Sequence, residues 1–277
     1  GHHVEVWEKD KDIGGTVRIA ALAYEPNGQL IRYLKNSLDE LGVKIKMRVL
    51  ATPESIQAFD PDHVIVAIGA HREAPSIKGK EGRNVFDGEQ LRGLLFGSNS
   101  NAIKKLSLFQ QIILKIGRAS QLLRSISALR FLSKIWMPIS RNVVVIGGDL
   151  VGLELAEFLI ERGRNVKVLD PTGSLGPNLS IIRRSSVIHL LKEQGVDLLT
   201  NVEIKEIDGQ EVIVQHEESE KIFPADQIII ALGANTNLNL SDELNNMNIP
   251  VTSIGDCRSV GYIHGAIADA REAAMNL

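Results

Sequence analysis

The residues best placed to do chemistry in this chain are a set of glycines and two acids. From Asn142 the sequence runs NVVVIGGDLVGLELAEFLIERGRNVKVLD and ends at Asp170. Gly147, Gly148 and Gly152 follow a run of β-branched residues, Asn142 to Ile146. They overlap an apolar pattern at helical spacing, Leu150, Leu153, Ala156, Leu159 and Ile160. Gly163 stops that pattern, and Asn165 to Leu169 make a second short apolar strand. In such a strand–turn–helix the glycines let backbone amides and a helix N-terminus approach a pyrophosphate. An acid at the second strand's tip then takes a ribose 2′-OH. Asp170 stands 23 residues after Gly147, close to the roughly 20-residue spacing of dinucleotide units. The chemistry indicated is dinucleotide binding, with NADH favoured over NADPH because a carboxylate repels a 2′-phosphate.

One position breaks the pattern. Asp149 replaces the middle glycine of G-x-G-x-x-G, which puts a carboxylate beside two phosphates. The competing interpretation is a βαβ unit whose glycines serve helix packing, with the loop amides holding the Asp149 side chain.

The elements that must position these residues are carried by 277 residues, a length that favours two domains and a sizeable core. No apolar run reaches the ~18 residues of a membrane span. A net charge of −3 excludes a general polyanion binder, and nucleic acid is not an expected partner. The single cysteine, Cys257, forbids an internal disulfide, a Cys-rich metal cluster and a C-x-x-C redox pair within the chain. No metal ligands are assigned. A reducing, cytoplasmic setting is the default expectation. The opening GHHVEVWE carries no initiator methionine and no signal-like segment, so the chain is expected to begin in mid-fold.

Val4 to Trp7 alternates as a strand ending at Glu8, and Gly14-Gly15 follow a charged turn. Glu8 is placed as Asp170 is, which suggests the tail of a second dinucleotide unit. Gln29 to Leu41 is expected to be an amphipathic helix stopped by Gly42, Val43 to Val49 a strand, and Thr52 to Phe59 a short helix. A buried strand is expected from Val64 to Ile68, running into Gly69-Ala70, and the phrase returns at Leu232-Gly233-Ala234. Ile181 to Gln194 is expected as a helix, Val196 to Leu199 as a strand, and Val202 to Ile207 with Gln210 to His216 as a hairpin about Asp208-Gly209. The chain closes on IGDCRSVGYIHGAIADAREAA, in which Tyr262, His264, Gly265 and Ala266 approach a final helix. Cys257 is expected to pack as a small apolar residue.

Together, Glu8 with Gly14-Gly15, the paired Ile68-Gly69-Ala70 and Leu232-Gly233-Ala234 phrases, the unit 143–170 between them and the IGDC ending resemble the pyridine-nucleotide-disulfide oxidoreductase superfamily. More narrowly the chain is similar to the C-terminal half of NADH:flavin oxidoreductases related to 2,4-dienoyl-CoA reductase, 2-enoate reductase and trimethylamine dehydrogenase. The resemblance implies an α/β fold of two nested Rossmann-like domains, glutathione-reductase-like, with the first βα unit of the FAD domain absent. Residues 1–88 and 240–277 would form the incomplete FAD-type domain, 89–140 a linker and helical insert, and 141–239 the NAD-type domain. The paired phrases would mark where the chain leaves the flavin domain and where it returns.

Cofactor-binding residues implied are Glu8, Gly14, Gly15, Gly69, Gly147, Gly148, Asp149, Gly152, Asp170, Gly233, Gly255, Asp256, Gly265 and Ala266. Asp256 would hydrogen-bond the FAD ribityl or phosphate. The last helix would aim its N-terminus at the isoalloxazine carbonyl. The expected cofactors are FAD and NAD(H), with hydride passing from NADH to FAD and no side chain required as acid or base. FMN, an iron–sulfur cluster and an enoyl-type C=C substrate belong to an N-terminal barrel domain outside the chain, the expected partner. The alternatives are a non-redox module that binds ADP, and a membrane-surface electron-transfer adaptor.

Residues 91–138 do not fit that pattern and are expected to form two added helices. From Gln90 through Gly148 there are nine basic residues, Arg92, Lys104, Lys105, Lys115, Arg118, Arg124, Arg130, Lys134 and Arg141, and no acid, so the rest of the chain carries −12 (−3 minus +9). Leu122, Ile126, Leu129, Leu132 and Trp136 form a stripe at helical spacing. The stripe is expected to pack on the barrel domain or a second subunit; peripheral docking on an anionic membrane or an acidic partner is the alternative.

Overall fold

The computed structural model describes residues 1–72, 74–91, 100–119 and 126–277. In chain order the first elements are β1 (Glu5–Glu8), α1 (Val17–Ala23), α2 (Pro26–Glu40), β2 (Lys44–Met47), α3 (Pro53–Phe59), β3 (Val64–Val66), β4 (His71–Arg72) and β5 (Val85–Asp87). The insert contributes α4 (Ser100–Lys104), α5 (Leu108–Ala119) and α6 (Ile126–Ile135). Then come β6 (Asn142–Ile146), α7 (Leu150–Ile160), β7 (Asn165–Leu169), α8 (Ile181–Glu193), β8 (Asp197–Leu199), β9 (Val202–Asp208), β10 (Glu211–His216), β11 (Ser219–Pro224) and β12 (Gln227–Ile230). The chain ends with β13 (Ala234–Asn235), α9 (Asn239–Asn246), β14 (Val251–Ser253) and α10 (Tyr262–Met275). No helix among the described residues is long and apolar enough to cross a membrane.

The chain forms two compact units. One comprises Gly1–Arg18, Asn27–Arg72 and Gly233–Leu277; the other comprises Ile19–Pro26 and Glu73–Leu232. The edges of these units fall at Arg72 and Gly233, beside the expected domain boundaries at 88 and 240. Strand β5 pairs with β12, so residues 85–87 belong to the second unit, whereas β13 pairs with β4 in the first.

The second unit is built on a parallel sheet of order β5-β12-β6-β7-β8. Its strands are buried on both faces, which explains runs of β-branched residues without polar alternation. Val143 and Val145 of β6, Val166 and Val168 of β7 and Ile229 of β12 enter a core with Leu153, Ala156 and Leu159 of α7 and Val187 and Leu191 of α8. Val144, Ile146, Leu169, Ile228 and Ile230 point the other way, onto Val202, Ile207, Val212 and Val214 of an antiparallel sheet of order β11-β10-β9. The expected hairpin is therefore a three-stranded meander. Strand β11 escaped notice because its sequence, SEKIFP, is mostly polar.

The insert belongs to this unit instead of standing apart. Ile126 and Leu129 of α6, with Leu91, Met137 and Ile139, join the core of α7 and α8. The expectation that the stripe covers another domain or subunit is thus corrected at these positions. Leu122, Arg92 and Arg124 lie outside the described residues. Two of the basic residues also turn inward. Lys105 donates to the carbonyl of Val85 at 2.7 Å and to Gln90 at 3.0 Å. Arg130 donates to the carbonyls of Ala21 and Leu22 at the end of α1, a favourable place for a cation. The described part of the insert includes α4, α5 and α6, and Ser107 opens α5 in a reciprocal cap with Gln110.

In the first unit, β1 pairs with β2 and β3 with β14, both in parallel, while β4 and β13 form a short antiparallel ribbon. Its core gathers Ile56, Val66, Leu244 and Cys257, with Trp7, Val64 and Val251 packed against it. Thr52 caps α3 through the amide of Ser55. The expected buried strand 64–68 is shorter, and Ile65 and Ile68 are 42% and 46% exposed. Among the described residues β3 hydrogen-bonds only to β14, and Ile65 alternates away from the core that Val66 enters.

Gly152 is the tightest contact of the parallel sheet with its helices. A Cβ there would overlap the carbonyl oxygen of Gly147. Gly152→Ala is expected to cost about 1–3 kcal/mol as an overpacked site, read as a lower urea midpoint with unchanged slope; an unaltered midpoint would show that α7 can slide off β6 freely.

Candidate dinucleotide sites in the two units

In the second unit the loop after β6 is shaped by the glycines' missing side chains. Gly147 has φ +113°, and a Cβ on it would lie 2.8 Å from the carbonyl oxygen of Ala231. Its amide bonds the carbonyl of Leu169 at 2.8 Å, so the loop stays attached to the tip of β7. Helix α7 then starts with Asp149 as its N-cap.

Asp170 sits at that tip as the spacing indicated, yet it is only 3% exposed. One carboxylate oxygen accepts the Gly148 amide, and the other accepts the amide of Thr172 at 2.7 Å together with the Thr172 hydroxyl. Both oxygens are engaged in shaping the loop. Sequence reasoning missed Thr172, which a D-x-T turn pattern would have flagged.

The segment after β7 lies along the glycine loop. The Gly176 amide bonds the Gly148 carbonyl at 2.8 Å, Leu175 packs where a Gly148 Cβ would be, and Asn178 donates to Asp149. Asp149 makes no side-chain bond to its own helix. The loop therefore fits a dinucleotide in three respects: left-handed Gly147, close packing at Gly152, and a first turn of α7 whose amides are not capped by the Asp149 carboxylate. The acid of Asp149 remains beside that turn and opposes an anion.

Two further acids stand on α7. Arg183 of α8 makes a two-pronged pair with Glu157 and lies over the Tyr24 ring, 5.1 Å from its centroid. It is therefore neither a solvated helix face nor a free phosphate ligand. Arg184 donates to Ser174 at 2.8 Å. Glu154 is left on the same helix with Arg183 already committed. Burial pushes its carboxyl up to about 7, against the pull of Arg183 and with the push of Glu157. Sequence reasoning passed over Glu154 because an acid within an apolar helix face is ordinarily read as its solvated edge.

In the first unit Glu8 ends β1 and accepts the Asp10 amide at 2.8 Å. Gly14 and Gly15 have φ +108° and +45° and precede α1. Gly69 and Gly233, at φ +77° and +86°, stand just before the two strands of the β4–β13 ribbon, so the two -G-A phrases meet. Gly255, at φ +67°, packs against Ala266, with its amide on Asp269 at 2.9 Å. Gly265 and Ala266 lie in the first turn and a half of α10, where the Gly265 amide bonds the Gly261 carbonyl at 2.9 Å. Asp256 accepts the amides of Gly261 and Tyr262 at 3.0 and 2.9 Å, and Arg72 stands 3.8 Å from its other oxygen. Arg72 was not singled out from the sequence. The residue types suit an adenine dinucleotide, an acid at a strand tip and left-handed glycines at the loops. At the start of α10, however, Asp256 itself holds the two amides that a flavin carbonyl would need. Cys257 is buried among apolar residues and directs its sulfur to the Val66 and Ile254 carbonyls.

Residues 29–258 match the family model described as pyridine nucleotide-disulphide oxidoreductase. The chain belongs to that family. Among curated members, bilirubin reductase of Mediterraneibacter gnavus (strain CC55_001C) is 30% identical over 93% of this chain and 34% of its own length. Cinnamate reductase of Clostridium sporogenes is 24% identical over 100% of the chain and 36% of its own. A solved complex of 2-naphthoyl-CoA reductase superposes with a TM-score of 0.78 and 25% identity, covering 100% of this chain and 36% of that one. The chain thus spans roughly a third of the length of these relatives. The family is one of FAD-dependent NAD(P)H oxidoreductases, and the mixed α/β architecture with a parallel core is its fold.

The Glu154 environment has a consequence for stability. Its carboxyl titrates near 4.5 when unfolded and about 7 when folded. Between these values the folded chain holds a proton that the unfolded chain has lost, so stability falls as pH rises from 4.5 to 7 and stays reduced above. The full effect is about 2–3 kcal/mol after allowance for partial exposure. Glu154→Gln should therefore be more stable than the parent at pH 8 and equal to it near pH 4.5 in urea titrations; parallel pH curves for the two would place the titrating group elsewhere.

Proposed function

We propose that this chain is the electron-input part of a flavin-dependent NADH oxidoreductase whose remaining part reduces an enoyl-type C=C substrate. The supporting observation is the pairing of two dinucleotide-type units in one chain, divided at the matching -G-A phrases, one with the Gly147–Gly152 loop and the other with Gly255–Asp256 before α10. Bound NADH would supply the reducing equivalents, and FAD the capacity to pass them onward singly. The chain's own residues bind and orient. The first-turn amides of α7 would take the pyrophosphate, with Gly152 allowing the close approach and Asp170 fixing Gly148. The Asp170 charge also disfavours a 2′-phosphate. Glu8, Gly14 and Gly15 would serve the flavin nucleotide, with Asp256 yielding the α10 amides or bonding the ribityl chain. The names of bilirubin reductase, cinnamate reductase and 2-naphthoyl-CoA reductase support a reductase reading. An N-terminal barrel with FMN and an iron–sulfur cluster would then carry the substrate.

In the full-length protein, a flavin absorption band that bleaches on anaerobic addition of NADH is the expected result. A colourless protein that binds ADP would replace this reading with a nucleotide-binding module.

The insert supports a second reading, that it docks the protein on an anionic surface. Leu108, Ile112 and Lys115 are exposed on one face of α5, and Phe131, Lys134 and Ile135 are exposed on α6, opposite the side that Leu129 buries. Exposed apolar residues flanked by lysines suit a bilayer rich in acidic lipid. Sedimentation with vesicles containing phosphatidylglycerol should capture the protein at low salt and release it in Phe131→Ser with Ile135→Ser; equal capture by neutral vesicles, or none at all, would remove this reading.

A further inference from the structure

An aspartate at a helix N-cap ordinarily turns its carboxylate back onto the amides of its own first turn. Those amides are the seat a pyrophosphate requires. Asp149 occupies that position on α7, and its side chain makes no bond to the helix. Both of its oxygens accept hydrogen bonds from a residue 29 positions on. The Asn178 backbone amide donates to one at 3.2 Å and the side-chain Nδ2 donates to the other at 2.6 Å.

Asn178 is not free to wander. It precedes Ser180, the N-cap of α8, whose hydroxyl accepts the Arg183 amide. Two residues earlier the Gly176 amide is fixed on the Gly148 carbonyl at 2.8 Å, and Leu175 packs against Gly148. The segment between β7 and α8 is thus attached to the glycine loop by bonds independent of Asp149. From that fixed position Asn178 presents two neutral donors to a carboxylate and no positive charge.

We propose that Asn178 is a positioning residue for dinucleotide binding: it holds the Asp149 carboxylate off the first turn of α7, so that an acid in the glycine loop is compatible with a bound pyrophosphate. The inference rests on the dinucleotide reading of the second unit. It explains how Asp149 can occupy a glycine position: the acid's hydrogen-bonding demand is met from outside the helix, and the amides of Val151 and Gly152 stay available. Released from Asn178, the carboxylate has two alternatives, to cap its own helix or to face the phosphates, and both oppose the ligand.

The test measures NADH affinity by titration calorimetry in the full-length protein, with thermal melts as a check on folding. Asn178→Ala should weaken NADH binding about tenfold or more, the scale of one lost hydrogen bond to a charged group. Asp149→Asn should bind NADH at least as tightly as the parent. Asp149→Asn combined with Asn178→Ala should regain the affinity of Asp149→Asn alone, because no carboxylate remains to be positioned. Asn178→Asp, which sets two acids together, should be the weakest binder. Equal affinity in parent and Asn178→Ala, or a double variant as weak as Asn178→Ala, would overturn the inference and leave Asn178 a merely structural residue. A parent that binds no NADH while keeping its flavin would instead overturn the dinucleotide reading on which the inference rests. Should Asn178→Ala melt early, Asn178→Ser, which likewise keeps the backbone donor and loses the side-chain amide, is put through the same comparison.

Discussion

The carboxylate of Asp170 is buried at the tip of β7, where all its described partners are donors: the Gly148 amide, the Thr172 amide and the Thr172 hydroxyl. This group ties together two turns of the second unit's loop. Through Gly148 it fixes the turn between β6 and α7, and through Thr172 it turns the chain back toward that loop. The segment that follows then reaches Gly148 again through Gly176, and Asp149 through Asn178. Removal of the carboxylate would leave a buried amide without a partner, a loss of about 1–3 kcal/mol, and would free two loops at once. A residue whose spacing from Gly147 marks it for ribose recognition is thus equally the keystone of the loop's geometry, and the two roles compete for the same oxygens.

The part of the fold legible in the sequence is the part in which side-chain period and burial coincide. Val143, Val144, Val145 and Ile146 show no polar alternation because both faces of β6 are covered, one by α7 and α8 and one by the meander. Capping residues and left-handed glycines such as Gly163 and Gly195 place helix ends within a residue or two for the same local reason. What escaped the sequence depends on residues far apart in the chain. Leu22 packs with Leu129, the Arg130 guanidinium meets the end of α1, and β5 joins β12 across the entire insert. No periodicity within a segment can report which distant segment covers it. The edges of the compact units, at Arg72 and Gly233, depend on such distant pairings.

The candidate sites divide in the same way. Glycines and strand-tip acids announce themselves because only certain residues tolerate those backbone positions or that proximity to phosphate. Of the residues that hold them in place, Thr172 carries a local D-x-T turn signal, whereas Asn178 and Arg72 are ordinary polar residues whose spacing does not distinguish them from surface residues. Glu154 belongs with these: its carboxyl is raised chiefly by burial, with Glu157 adding to the shift and Arg183 opposing it, and that burial depends on segments distant in the chain.

The electrostatic balance at the loop follows from how the two acids are satisfied. Asp149 and Asp170 both accept hydrogen bonds from neutral donors of the segment 172–178, and Asp170 accepts the Gly148 amide as well. Of the arginines of α8, Arg183 pairs with Glu157 and Arg184 donates to Ser174. The positive pole facing a bound phosphate is therefore the N-terminus of α7, equivalent to about half an elementary charge, set against two carboxylates. A dinucleotide with two phosphate charges can be held against that field by close amide contacts, since these act at hydrogen-bond range while the acids are partly quenched by their donors.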